Sequence, residues 1–127
     1  MGKTKALIIT DESSDIQSIA HSIKDALQDI NVKTVTAEKF EGTDLLPVDM
    51  FILGCENPNP VSFAYLEDML SHINLASRKC CIFSTSEKTI MYLKGIVKDC
   101  EADLLEPHLT VKEKLNKSEI KNWHKGL

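Results

Sequence analysis

The residues best suited to chemistry form a polar segment, TDESSDI, that follows the first apolar run of the chain. It holds carboxylates at Asp11, Glu12 and Asp15 and hydroxyls at Ser13 and Ser14. A turn that starts a helix binds phosphate through free N–H groups and the helix dipole. Carboxylate oxygens instead suit Mg²⁺ or Ca²⁺. This segment could therefore hold a phosphate, hold a metal, or only reverse the chain.

Two more polar segments follow apolar runs further along the chain. The first contains Cys55, Glu56 and Asn57, and the second contains Thr85 and Ser86. Because the carboxyl ends of parallel strands meet at one edge of a sheet, we expect both segments to lie near the first turn. That edge is the predicted ligand site.

A divalent cation and a reactive thiol are the alternatives at this edge. Asp11, Glu12 and Glu56 would be the oxygen ligands of the cation. A solvated acidic rim explains the same residues, and we predict no metal site. Cys55 would lie near a helix N-terminus, a setting that can lower a thiol pKa. No His or Lys is close to it in sequence, so we predict a structural thiol.

Alternating strand and helix patterns must position these segments. Apolar or alternating runs predict five strands, at 5–10, 32–37, 50–54, 80–83 and 104–105, the last interrupted near Pro107 and resumed at 109–111. Helical spacing of apolar residues separates them, and a closing helix is predicted from Ser118. Ser14 with Gln17 fits a capping box for the first helix, and Ser62 fits the N-cap of the next.

This alternation predicts the fold class. We expect an α/β protein with a three-layer, doubly wound, five-stranded parallel sheet in the order 2-1-3-4-5. The whole chain, residues 1–127, is predicted to be a single domain. In such a sheet a ligand binds at the switch point, here between the first and third strands.

Several longer stretches resemble one family. These are the pair IA at 19–20, TDLLPVDMFILG at 43–54, NPNPVSFAYLEDML at 57–70 and EPHLTV at 106–111. Together they make the chain similar to the flavodoxin family over nearly its whole length. The resemblance implies a flavodoxin-like fold, FMN as cofactor, and electron transfer with a redox partner.

The chain departs from that family where FMN would bind. Ser13 keeps a hydroxyl of the family's phosphate turn, but Ser14 stands where glycine is usual and Ile16 where a closing hydroxyl is usual. The loops at 55–62 and 84–89 contain no Trp or Tyr to stack on the flavin ring. The residues that would line the site are Asp11, Glu12, Ser13, Ser14, Asp15, Cys55, Glu56, Asn57, Thr85 and Ser86.

We therefore interpret the chain as a flavodoxin-family protein with weak or lost FMN binding. It would act as a binding or interaction module, with a protein or redox partner, and not as an enzyme. The alternative is an FMN-dependent electron carrier with an atypical pocket.

A weaker resemblance is to response-regulator receiver domains, which share the fold. The segment 10–12 is similar to the receiver's acidic triplet, and Thr85 or Ser86 could be its hydroxyl. Gly54 or Cys55 stands where the phospho-acceptor aspartate is expected, and Glu106 where the lysine is expected. This resemblance therefore implies only an inactive receiver-like domain.

Composition limits the class of partner. The formal net charge of −4, with basic residues scattered among acids, argues against nucleic acid. No apolar run is long enough for a membrane span, so we expect a cytoplasmic protein. Cys80, Cys81 and Cys100 are predicted to be reduced structural thiols.

Overall fold

The sheet is built from four strands of five or six residues. A computed structural model describes residues 5–27, 30–45, 47–58, 60–72, 78–104 and 109–110. The long strands are β1 (Lys5–Thr10), β2 (Asn31–Thr36), β3 (Met50–Gly54) and β4 (Lys79–Ser84). They are parallel and lie in the order 2-1-3-4, which confirms that part of the predicted topology.

The fifth strand, predicted with an interruption near Pro107, is represented among the described residues by two short pieces. Two pieces of two residues each, β5 (Asp103–Leu104) and β6 (Leu109–Thr110), pair with β4. The first lies beside Lys79 and Cys80, and the second beside Phe83 and Ser84. Pro107 and the predicted closing helix from Ser118 lie outside the described residues.

Among the described residues, three helices flank the sheet: α1 (Ser14–Ala26), α2 (Ala64–Ser71) and α3 (Glu87–Cys100). Isoleucines of α1 pack with alternate residues of β1 and β3 in one buried cluster. The side chains of α2 and α3 pack with the residues of the opposite parity in a second cluster. Two clusters on opposite faces of one sheet give the predicted three layers. In the described part of the chain, no helix has the length and hydrophobicity to cross a membrane.

The first helix is capped by Ser13, so the prediction of Ser14 is wrong by one residue. Ser13 Oγ accepts the N–H of Ile16 at 3.5 Å, and its carbonyl accepts the N–H of Gln17 at 3.0 Å. The N–H of Ser13 is itself fixed by the Asp11 carboxylate at 3.2 Å. Two consecutive serines are equivalent in sequence, and this contact decides between them.

Replacement of the two serines separates these assignments. Ser13→Ala is expected to lower the free energy of unfolding by about 0.5 to 2 kcal/mol, because a helix donor loses its cap. Ser14→Ala, the matched control at an exposed helical position, is expected to change it by less than about 0.5 kcal/mol. Chemical denaturation measures both values. A larger loss in Ser14→Ala would contradict the observed cap.

The start of α2 also differs from the prediction. Ser62 lies within a 3₁₀ turn (Val61–Phe63) and does not cap the helix, which begins at Ala64. The N–H of Phe63 donates to the Pro60 carbonyl at 2.9 Å, which closes this tighter turn. Phe63 is fully buried, so its packing fixes where the helix begins.

The four cysteines are buried free thiols, in agreement with their predicted structural role. Cys80 and Cys81 are adjacent in β4 and therefore point to opposite faces of the sheet. Cys80 belongs to the cluster under α2 and α3, and Cys81 to the cluster under α1.

Candidate functional site

The turn after β1 is held together by the side chain of Asp11. This carboxylate is buried, with 8% of the residue exposed. Its Oδ1 accepts the N–H of Ser13 at 3.2 Å, and its Oδ2 accepts the N–H of Glu56 at 3.0 Å. The Asp11 N–H donates to the Gly54 carbonyl at 3.3 Å. Asp11 thus joins the turn after β1 to the loop after β3, the two segments predicted to converge.

This arrangement places the carboxylate of Asp11 at the edge of the sheet that is the predicted ligand site. Ser13 and Glu56 direct backbone N–H groups at Asp11, the interaction by which such turns bind an external anion. The carboxylate therefore acts as an internal anion. Asp15, in the first turn of α1, adds a second negative charge near the positive end of the helix dipole.

Glu12 points to a different neighbour from Asp11. Its carboxyl group hydrogen-bonds that of Glu38. This hydrogen bond, and after it the negative charge of Glu12, raises the pKa of Glu38 above its ordinary value. Among the described residues, no group of three His, Cys, Asp or Glu side chains could hold a metal ion. Asp11 thus contacts the backbone of Glu56, whereas Glu12 pairs with Glu38.

Hydroxyl groups after β4 support the loop after β3. Ser84 Oγ donates to the Cys55 carbonyl at 2.7 Å, and Thr89 Oγ1 donates to the Glu56 carbonyl at 3.0 Å. Ser86 Oγ lies 2.8 Å from Thr89 Oγ1 and accepts the Thr89 N–H at 3.3 Å. The predicted site residue Ser86 therefore caps α3, and Thr85 is partly buried beside it.

Thr89 supports the loop after β3, a structural role that was not predicted from the sequence. It lies inside a helix, where a threonine carries no signal for a contact with a loop that is 33 residues away. The serine three residues before it, which fits an N-cap, was the only local indication.

The Cys55 thiol is buried and poorly suited to reaction. Its Sγ donates to the Asn57 carbonyl at 3.4 Å, while the Asn57 side chain is exposed. Burial, followed by the charges of Asp11 and Glu67, raises the pKa of Cys55 to about 12. The thiolate is disfavoured near neutral pH, so a lowered pKa at this position is excluded and the structural role is supported.

Aromatic side chains near the edge are engaged elsewhere. Phe63 is fully buried, and Tyr65 is 55% exposed on α2. The Phe83 ring lies against Gly54: a Cβ added at this glycine would come within 2.2 to 2.6 Å of three ring atoms. An aspartate at position 54, one of the two positions where the receiver resemblance expects the phospho-acceptor, would collide with that ring.

Comparison with known proteins places this architecture. No family model and no curated protein matches the sequence. Among solved structures, a short-chain flavodoxin associated with a bacterial microcompartment superposes with a TM-score of 0.84 at 11% identity, over 98% of this chain and 96% of that one. The fold is that of the flavodoxins.

Two further flavodoxins support the same assignment of the fold. Oxidised flavodoxin 2 from Bacillus cereus has a TM-score of 0.81 and 23% identity, over 97% of each chain. The Fusobacterium nucleatum flavodoxin bound to flavin mononucleotide has a TM-score of 0.73 and 12% identity, over 98% of this chain and 96% of that one.

Within this flavodoxin-like fold, the turn after β1 differs from the phosphate turn that the resemblance predicts. Ile16, which stands where the family has a closing hydroxyl, is fully buried among the core residues under α1. Asp11 supplies a negative charge at the turn where the flavodoxin resemblance predicts the FMN phosphate. The backbone N–H groups of Ser13 and Glu56 are already directed at that carboxylate.

Proposed function

We propose that this chain is a binding or interaction module that uses the flavodoxin-like fold with weak or lost FMN binding. The observation that carries the proposal is the Asp11 carboxylate, which accepts two backbone N–H groups at the ligand edge. The proposal assigns the chain no catalytic residue. A protein partner, including a redox partner, is the expected class of ligand.

Electrostatic repulsion by the acidic turn is the physical reason for weak phosphate binding. At an effective dielectric constant near 20, a unit charge about 5 Å from a carboxylate is repelled by roughly 3 kcal/mol. A helix N-terminus stabilises an anion by only about 0.3 to 2 kcal/mol. Asp11 and Asp15 both lie at this turn, so the repulsion exceeds the attraction.

The second candidate is an FMN-dependent electron carrier with an atypical pocket. Its support is the similarity of nearly the whole chain to a flavodoxin solved with flavin mononucleotide. In that case the binding energy would come from contacts with the ring and ribityl chain that offset the repelled phosphate. This candidate requires measurable flavin affinity despite the acidic turn.

An FMN titration tests the two candidates. We expect the purified protein to be colourless and to leave the fluorescence of added FMN unquenched at micromolar concentrations. Riboflavin, which lacks the phosphate, is the matched ligand control and is expected to bind no more weakly than FMN. Saturable quenching by FMN at micromolar or lower concentration, with FMN favoured over riboflavin, would establish the electron carrier and overturn the proposal.

A further inference from the structure

A polar groove lies between α1 and the edge strand β2, on the side of β1 away from β3. Its volume is about 230 Å³. Thr34 and Thr36 line it from the strand, and Gln17 and His21 line it from the helix. Lys39 completes the lining just beyond the strand. Thr10, at the carboxyl end of β1, is the lining residue nearest to the switch point between β1 and β3.

Strand register explains why the groove is polar. Thr34 and Thr36 have the same parity as Val32, which packs in the cluster under α1. Thr36 pairs with Thr10, another lining residue, at the carboxyl end of β1. Threonines therefore stand where an edge strand covered by a helix would ordinarily present valine or isoleucine.

The hydroxyl of Thr36 gives the groove an unmet hydrogen bond. Its Oγ1 is buried and has no hydrogen-bond partner. Leaving such a group unsatisfied costs about 1 to 3 kcal/mol, so an acceptor that reached it would be stabilised. Gln17 and Lys39 have long side chains, whose rotation can admit a ligand oxygen to the groove wall.

The charge of the groove is opposite to that of the acidic turn. None of the described residues that line it is acidic, and His21 and Lys39 can carry positive charge. The backbone N–H of Lys39 donates to the Thr36 carbonyl at 3.0 Å, which closes the turn after β2. Residues that carry hydroxyl, amide and ammonium donors thus line one small groove.

We propose that this groove binds a small oxyanion, of the carboxylate or phosphate monoester class. Lys39 would supply the charge, and the threonine hydroxyls and the Gln17 amide would donate hydrogen bonds. The proposal does not depend on the function of the switch point.

Removal of the negative charge of Glu38 should have the opposite effect on oxyanion binding from removal of the positive charge of Lys39. Its carboxyl group interacts electrostatically with Lys39 and therefore competes with any anion for that lysine. Removal of the Glu38 charge should strengthen oxyanion binding, whereas removal of the Lys39 charge should weaken it. A general loss of structure cannot produce both results.

The experiment is an NMR titration of the ¹⁵N-labelled full chain with inorganic phosphate, glycerol phosphate and acetate, with acetamide as the neutral control. We expect saturable shifts of the amides of Gln17, His21, Thr34 and Thr36 with the anions only. The ranking of the three anions distinguishes a phosphate ligand from a carboxylate ligand. Lys39→Met should weaken binding about tenfold or more, and Glu38→Gln should tighten it.

Matched controls use residues outside the groove. Lys33→Met removes the same charge from an exposed position of β2, and Thr43→Val removes an exposed hydroxyl; neither should change the dissociation constant more than about twofold. Thr36→Val should weaken oxyanion binding, while the NMR spectrum of the variant without ligand should stay like that of the unmodified protein. The absence of saturable shifts at millimolar concentrations, or equal affinities in Lys39→Met and Lys33→Met, would overturn the proposal.

Discussion

Gly54→Ala is expected to destabilise the protein by about 1 to 3 kcal/mol, although it adds one methyl group. The added Cβ would lie 2.2 Å from the nearest atom of the Phe83 ring, which is fully buried, so the ring or the backbone must shift. Phe83→Ala alone should cost about 3 to 5 kcal/mol, because it leaves a cavity. The double variant should be less destabilised than the sum, because the new methyl group partly fills that cavity.

Gly95→Ala is the matched control for this substitution. Gly95 lies inside α3, and a Cβ added there meets no atom within 4 Å. Alanine should therefore raise stability by about 0.5 to 1 kcal/mol, the intrinsic helical difference between the two residues. Urea denaturation of the four variants measures these free energies. Equal effects at Gly54 and Gly95, or additive losses in the double variant, would contradict the packing described for Phe83.

Asp11→Ala has the second largest expected effect. It removes the acceptor of two backbone N–H groups in the loops after β1 and β3, which should lower the free energy of unfolding by about 2 to 4 kcal/mol. Asp11→Asn keeps the Oδ1 acceptor and should lose roughly half as much. Hydrogen exchange should be faster at Ser13 and Glu56 in Asp11→Ala, and at Glu56 in Asp11→Asn, which loses only the Oδ2 acceptor.

The same substitutions report on ligand binding. Asp11→Asn should raise the affinity for phosphate at the turn, and the gain should shrink as salt is added, because the removed repulsion is Coulombic. Asp25→Asn, at an exposed position of α1, is the charge-matched control and should change neither stability nor affinity. A stable Asp11→Ala protein with unchanged exchange at Glu56 would show that the two loops do not depend on this carboxylate.

The sequence was most informative where burial alone determines structure. β1 and β3 begin and end at the predicted residues, since continuous apolar runs of this length form buried parallel strands. The helix starts could not be predicted to the residue. Whether Ser13 or Ser14 caps α1 depends on Asp11, whose position is fixed by Glu56, a residue 45 positions away.

The candidate site was predictable as a place but not as a set of contacts. Parallel topology places the loops after β1 and β3 together, as predicted. It does not determine that Asp11 turns inward to the Glu56 backbone, or that Glu12 turns away to Glu38. The groove beside β2 had a signal that was not used: Thr34 and Thr36 fall on the strand face occupied by Val32.

The adjacent thiols of β4 report separately on the helical layers that cover the two faces of the sheet. They allow the free energies of local opening of these layers to be compared. Cys81 is the one cysteine of the four that packs under α1, and Cys80 packs under α2 and α3. A thiol reagent can modify each only when its own layer separates transiently from the sheet. The labelling rates of two consecutive residues, resolved by mass spectrometry of one peptide, therefore give the relative opening free energies of the two faces without any substitution.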